Sequence, residues 1–142
     1  MSAEASSRAS IELPGAQLAL ARTVLAAARA AEPAKPVVAV LLNGRPLATP
    51  WLADSMPALV ESWFLGVEHG NALADVLLGD ANPSGRLPVT VPRATGQVPI
   101  YYNHKNTGRP ADAANHYTSK YIDLPWTPLY PFGHGRSMYL LV

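Results

Sequence analysis

Aromatic side chains crowd the last third of this sequence, and they are the residues best suited to holding a sugar. A Tyr or Trp ring offers an apolar face to a pyranose ring, while the hydroxyl or the indole N–H adds a hydrogen bond. The alternative is that these rings pack the segment onto the rest of the fold, and for any single ring that role is at least as well supported. The residues concerned are Tyr101, Tyr102, Tyr117, Tyr121, Trp126 and Tyr130.

The histidines and carboxylates do not have the spacing of a metal site. Two His residues four apart on a helix would place both imidazoles on one face, and no such pair occurs among His69, His104, His116 and His134. The chain has no Cys, which excludes thiolate ligands and disulfides. The Asp and Glu residues are scattered as well. We therefore predict no metal and no cofactor.

Two turns have the composition of functional loops but lack the defining residues. The turn 43–46 (Asn-Gly-Arg-Pro) contains neither a G-x-G-x-x-G pattern nor the Gly-Lys-Ser/Thr ending that binds phosphate. Ser84 lies in Asn-Pro-Ser-Gly and is not part of a G-x-S-x-G nucleophile elbow. Local turn roles explain both segments, with Arg45 pairing to nearby groups.

Composition excludes several classes of protein. With 11 basic and 10 acidic residues and a net charge of +1, the chain has no basic stripe for nucleic acid. Apolar runs such as 37–42 fall far short of the ~20 residues that span a bilayer. The 142 residues suit one ordinary domain and cannot form a (β/α)8 barrel, which needs roughly 250. We therefore predict no nucleic-acid partner and no membrane span.

The elements that must position any site begin with a helix predicted over 14–32. Pro14 suits a first helical turn, and the residues that follow are rich in the helix formers Ala, Leu and Arg. Arg22 and Arg29, seven residues apart, should share the outer face. The predicted contact stripe consists of Leu18, Ala21, Leu25 and Ala28.

The rest of the chain alternates short strands with turns and one further helix, which is typical of an α/β fold. The unbroken apolar run 37–42 predicts a strand buried on both faces, as in a parallel sheet, and the turn after it falls at the edge where such sheets bind ligands. We further predict strands at 58–64 and 87–91, a helix at 71–78 ended by Gly79, and an ordered aromatic-rich loop over 97–135.

Five ordered motifs resemble the C-terminal α/β sandwich domain of glycoside hydrolase family 3, particularly its periplasmic β-glucosidase branch. Each is similar to a family motif, and together they span nearly the whole chain. They are residues 35–47, 63–77, 79–88, 102–110 and 129–135.

The resemblance implies a site. In that family a (β/α)8 barrel comes first and carries a nucleophilic Asp, and the sandwich supplies a Glu as acid/base. Residues 3–8 are similar to the segment that holds this Glu, so Glu4 is the implied general acid/base. Arg8, as a support for that loop, and the loop residues Tyr102 and His104 are further candidates for substrate binding. The implied substrate is a β-glucoside or oligosaccharide, and the implied partner is a barrel domain upstream or in trans.

We expect this chain to be an incomplete enzyme. Retaining glycoside hydrolysis needs two carboxyl groups about 5–5.5 Å apart, and the second would lie on a barrel that this length excludes. The chain alone should therefore be inactive. The expected fold is a partial three-layer α/β/α sandwich with a mostly parallel sheet. Residues 1–142 form the partial domain, with helices and strands in 1–96 and an aromatic-rich loop and C-terminal segment in 97–142.

Other interpretations remain open at this point. The chain could be a non-catalytic α/β module that binds carbohydrate or a protein partner and was kept after loss of the barrel. Nucleotide binding ranks below both. Residues 1–8 lack the pattern of a secretory signal, so a periplasmic location is suggested by the resemblance alone.

Overall fold

The computed structural model describes residues 4–135. Its helices are α1 (Gln17–Ala30), α2 (Pro50–Ser55) and α3 (His69–Leu78), and its strands are β1 (Val38–Leu41) and β2 (Ala58–Glu61). Short 3₁₀ turns occupy Gly66–Glu68 and Thr95–Gln97. Within the described residues the two strands form one parallel sheet, in register from Val38 opposite Ala58 to Leu41 opposite Glu61. The predicted α/β class is confirmed.

Helix α1 buries the predicted stripe. Leu25 is fully buried, and Leu18, Ala21 and Ala28 are partly covered. The outward arginines contact α2: the Arg22 guanidinium lies 5.2 Å from the Trp51 ring centroid, and Arg29 Nη2 donates to Ser55 O at 3.0 Å. The helix ends at Ala30, two residues before the predicted limit, because the backbone turns extended at Ala31 ahead of Pro33.

Helix α2 was not predicted. It has only six residues, too few to show a 3.6-residue period, and its start at Pro50 is the one position where a helix tolerates proline without loss. Its Leu52 is buried and joins the small apolar core. That core contains Leu25, Leu47, Ala48, Leu52 and Val91.

The strands differ from the sequence prediction in burial and length. The predicted burial of the 37–42 run on both faces is wrong, since Val38 and Leu42 remain exposed in a sheet of two strands within the described chain. β2 ends at Glu61 and not at residue 64. The reason is local: Trp63 has a φ of +52°, which is incompatible with an extended strand.

Helix α3 ends as predicted, whereas the strand predicted at 87–91 does not form. Gly79 adopts φ +92° and its N–H donates to Asp75 O at 3.1 Å, the left-handed ending that favours glycine. On this helix Leu77 and Leu78 are exposed. In the 87–91 segment Val91 forms a single antiparallel bridge to Tyr130. Leu87 N also donates to His134 O and Leu87 O accepts from Gly133 N, both at 2.8 Å, but Pro88 and Pro92 lack N–H donors, so no continuous ladder forms.

Candidate functional site

Glu4 lies in an exposed turn at the beginning of the described chain. The next residue, Ala5, has a φ of +55°, in the left-handed region that non-glycine residues seldom adopt. The Ser6 hydroxyl donates a hydrogen bond to Glu4 O at 3.4 Å across this turn. The carboxyl group is therefore presented to the surroundings on a turn of unusual backbone geometry.

The segment that follows Glu4 is fastened to the turn after β1. Arg45 Nη1 donates to Arg8 O at 3.0 Å, and Ala48 N donates to Ile11 O at 2.9 Å. Arg8 itself is partly buried, and its Nη1 donates to Glu12 O at 3.2 Å. Arg8 thus ties the segment through both its main chain and its side chain, and its role as a support of the Glu4 loop stays a prediction.

The carboxyl edge of the sheet holds a buried polar cluster. Asn43, only 1% exposed, follows β1, and Glu61 is the last residue of β2. Asn43 Nδ2 donates to Arg45 O at 2.7 Å and to Glu61 Oε2 at 3.2 Å. The other carboxylate oxygen of Glu61 accepts from Trp63 N at 3.3 Å. Parallel strands bring these groups together because their carboxyl ends lie side by side.

The Glu61 carboxyl group in this cluster has a raised pKa. Burial disfavours its charged form and raises the pKa above the ordinary 4.5, while the hydrogen bonds from Asn43 and from the Trp63 main chain act in the opposite direction and are weaker. Asn43 Oδ1 is also buried and accepts no hydrogen bond from any described residue. The cluster thus combines a buried Asn43 side chain with a half-buried Glu61 carboxylate.

A second candidate region is a cavity of about 600 Å³ within the aromatic loop. Its walls include His104, Lys105, Tyr121 and Trp126. Tyr102 does not line it: that ring stacks on Phe132, with centroids 4.5 Å apart, and is 68% exposed. The cavity has the aromatic and polar lining suited to a sugar, so His104 lies where a binding residue could act.

The structure separates the four site residues predicted from sequence into two groups. Glu4 and Arg8 share the N-terminal segment, and neither lines the cavity that contains His104. Tyr102 belongs to the same loop as His104 but packs against Phe132. Sequence reasoning missed the contribution of Asn43 and Glu61. The available signal was their position at the carboxyl ends of two predicted strands.

Residues 4–135 contain no group of three or more His, Cys, Asp or Glu side chains that could hold a metal ion. A search of the same residues finds no helix with the length and apolar character needed to cross a membrane.

A small parallel sheet whose strands are each preceded by a helix, with polar groups at its carboxyl edge, is typical of an α/β domain. Residues 1–138 match the glycosyl hydrolase family 3 C-terminal domain. The chain belongs to that family.

Relatives with known names are glycosidases. The chain is 51% identical to the periplasmic β-glucosidase of Salmonella typhimurium over 96% of its own length, and 38% identical to a β-xylosidase of Formosa agariphila over 94%. Among solved structures, the β-glucosidase of Listeria innocua in complex with isofagomine superposes with a TM-score of 0.86 at 49% identity, covering 96% of this chain. The chain spans only 17% of the length of the first two proteins and 19% of the third.

Proposed function

We propose that this chain is the C-terminal part of a β-glucosidase-like hydrolase, in which Glu4 acts as general acid/base on β-glucosides or oligosaccharides. The observation that carries the proposal is the family membership over residues 1–138, together with 51% identity to an enzyme named as a β-glucosidase. The exposed turn that presents Glu4, anchored behind it at Arg8 and Ile11, supports the assignment. The same relative is named as periplasmic, and we propose that compartment for this protein.

The chemistry divides between two carboxyl groups. A carboxylate on a barrel domain attacks the anomeric carbon, and Glu4 gives its proton to the leaving oxygen as the glycosidic bond breaks. In the second step Glu4, now ionised, takes a proton from water, and that water displaces the barrel carboxylate from the sugar. Because this chain supplies only the proton-transferring group, it should not turn over substrate alone.

The remaining assignments extend the same site. We propose that residues 1–142 act as one partial domain, with the helix and strand part in 1–96 providing Glu4 and Arg8. The loop and C-terminal segment in 97–142 would provide His104 and Tyr102 for the sugar. His104 has the stronger support, since it lines the loop cavity, whereas Tyr102 is engaged with Phe132.

The test replaces the matched segment of the Salmonella typhimurium β-glucosidase with this chain and measures hydrolysis of an aryl β-glucoside. The proposal expects activity in this chimaera and none in the 142-residue chain. Glu4→Gln should lower kcat of the chimaera by about 10²- to 10⁴-fold, the usual contribution of a general acid or base. Glu12→Gln, also exposed in the same segment, is the matched control and should change little. Full activity of Glu4→Gln would remove Glu4 from the mechanism.

The loop cavity gives the second candidate function, a sugar-binding module without catalysis. Its aromatic and polar lining is the observation in its favour. Calorimetric titration of the 142-residue chain with glucose and cellobiose tests it, with Trp126→Ala as the variant. Heat of binding lost in Trp126→Ala, alongside an inactive chimaera, would favour the module over the hydrolase.

A further inference from the structure

A continuous series of hydrogen bonds runs from the sheet to the Glu4 segment. It begins at Glu61, the last residue of β2, whose Oε2 accepts from Asn43 Nδ2 at 3.2 Å. The same amide group donates to Arg45 O at 2.7 Å. The Arg45 guanidinium then donates to Arg8 O at 3.0 Å. The main chain four residues after Glu4 is thereby tied to the rigid end of two paired strands.

The member at the centre of this series is held firmly. Asn43 is almost completely buried and fixes the Arg45 main chain inside the turn after β1. Arg45 is partly buried, so its hydrogen bond to the Arg8 carbonyl is shielded from competing water. A charged donor on a neutral acceptor gives a stronger bond than two neutral groups do.

The placement of this anchor matters for proton transfer. A general acid works only when its oxygen lies within hydrogen-bond reach of the leaving atom, and a displacement of about 1 Å can cost roughly 10²-fold in rate. Glu4 itself is exposed and lies on a turn with Ala5 at φ +55°. The position of its carboxyl group therefore depends on what fixes the segment behind it.

We propose that Arg45 is a positioning residue for Glu4, acting through the Arg8 carbonyl and held in place by Asn43 and Glu61. The anchoring is a property of this chain, while its catalytic consequence rests on the proposed function of Glu4. Arg45 would act only through the segment that it holds, without contact to substrate or to the reacting atoms.

Limited proteolysis of the 142-residue chain tests the anchoring directly. Trypsin cuts after Arg8, and the carbonyl at that bond is the one that Arg45 holds. Removing Arg45 deletes no cleavage site, because trypsin does not cut before Pro46. Loss of one hydrogen bond from a charged donor should speed cleavage after Arg8 by about tenfold relative to cleavage after Arg22, inside α1.

The variants are Arg45→Met, Arg45→Lys and the matched control Arg29→Met. Arg29 also donates to a main-chain carbonyl at 3.0 Å, but to Ser55, away from the Glu4 segment. Arg45→Met should raise the ratio of cleavage after Arg8 to cleavage after Arg22. Arg45→Lys should bring this ratio part of the way back to that of the unsubstituted chain, and Arg29→Met should not raise it. Using a ratio separates local release from general unfolding. An unchanged ratio in Arg45→Met overturns the proposal.

Leaving-group dependence in the chimaera tests the catalytic consequence. Protonation is essential for a basic leaving group such as the sugar of cellobiose and nearly unnecessary for 2,4-dinitrophenolate. Arg45→Met should lower kcat/KM by about tenfold or more with cellobiose and by no more than about twofold with the dinitrophenyl glucoside. A merely structural defect would lower kcat/KM equally with the two substrates, and such equal losses would overturn the positioning role.

The anchoring of the segment by Arg45 and the catalytic role of Glu4 can be disproved separately. If Glu4→Gln leaves kcat/KM unchanged with both substrates while Arg45→Met still speeds cleavage after Arg8, the proposed function is wrong and the anchoring by Arg45 is supported. If Glu4→Gln shows the leaving-group split and Arg45→Met does not, the positioning role alone is wrong.

Discussion

The region from α1 to β2 and the loop after Gln97 are held by different kinds of contact. The first region, from α1 to β2, buries Leu25, Leu47 and Leu52 and pairs two strands in parallel. The loop leaves large apolar side chains such as Ile122 and Tyr117 in solvent. Apolar burial stabilises a fold cooperatively, whereas a segment with few buried contacts opens locally.

Polar contacts near the start of the loop replace the missing apolar core. Gln97, only 3% exposed, donates through Nε2 to Pro125 O at 3.0 Å and to Thr127 O at 3.3 Å, and its Oε1 accepts from Arg93 N at 2.6 Å. Farther along, Lys120 Nζ donates to Asp112 O and Asn115 O. The Glu4 segment is therefore joined to the region from α1 to β2, here called the cooperative region, while the proposed sugar-binding loop depends on a few polar anchors.

The largest expected effect is a loss of stability caused by a cavity in the region from α1 to β2. Leu25→Ala should lower the free energy of unfolding by about 2–5 kcal/mol, because it removes a buried side chain from the small core. Urea denaturation measures the change. Leu20→Ala, on the exposed face of the same helix, is the matched control and should cost less than about 0.5 kcal/mol. Equal losses in the two variants would show that the described core does not stabilise the chain.

A smaller and more local effect should follow loss of the loop anchor. Gln97→Ala leaves the Arg93 N–H and two carbonyls of the returning loop without their partner, at a cost of about 1–3 kcal/mol. Tryptic cleavage after Lys105 should accelerate, while cleavage after Arg22 in α1 stays constant. Acceleration at both sites would mean that loop and core open together, contrary to the distinction drawn between them.

The smallest expected effect is the pH dependence that Glu61 gives to the free energy of unfolding. Burial raises the pKa of Glu61 above 4.5, so the folded state holds this proton more tightly than the unfolded chain does. Its contribution to stability is complete below the unfolded pKa and is lost as pH rises through the folded pKa. Glu61→Gln should remove this decline, as measured by urea denaturation between about pH 4 and 7. An identical decline in both proteins would show that Glu61 does not titrate differently on folding.

Much of the first region could be predicted because its signals are local. The Leu18 to Ala28 stripe repeats over several turns, and Gly79 marks a helix end by its own conformational freedom. Helix α2 is too short to show a period. The segment around Val91 has the composition of a strand, but its two prolines allow only one bridge, to Tyr130.

The site was less accessible to sequence reasoning. The resemblance pointed to Glu4, and the structure adds the series from Glu61 to Arg8. Asn43 and Glu61 meet because β1 and β2 pair in register, and Arg45 reaches Arg8 from the turn that follows β1. Arg45 in isolation suggests an ordinary turn, and Tyr102 and His104 cannot be told apart by type. Only contacts between distant segments distinguish them: Arg45 donates to Arg8 O, and His104 lines the loop cavity whereas Tyr102 does not.

If Glu4 exchanges a proton first with the leaving group and then with water, a small anion should rescue the Glu4→Gln variant. Azide needs no proton removed, so it can attack the sugar held on the barrel carboxylate when Glu4 is absent. We predict that azide restores turnover of a dinitrophenyl β-glucoside in the Glu4→Gln chimaera and that the product is β-glucosyl azide. Failure of azide to change either rate or product, in a chimaera shown to be active with Glu4 intact, would contradict the account.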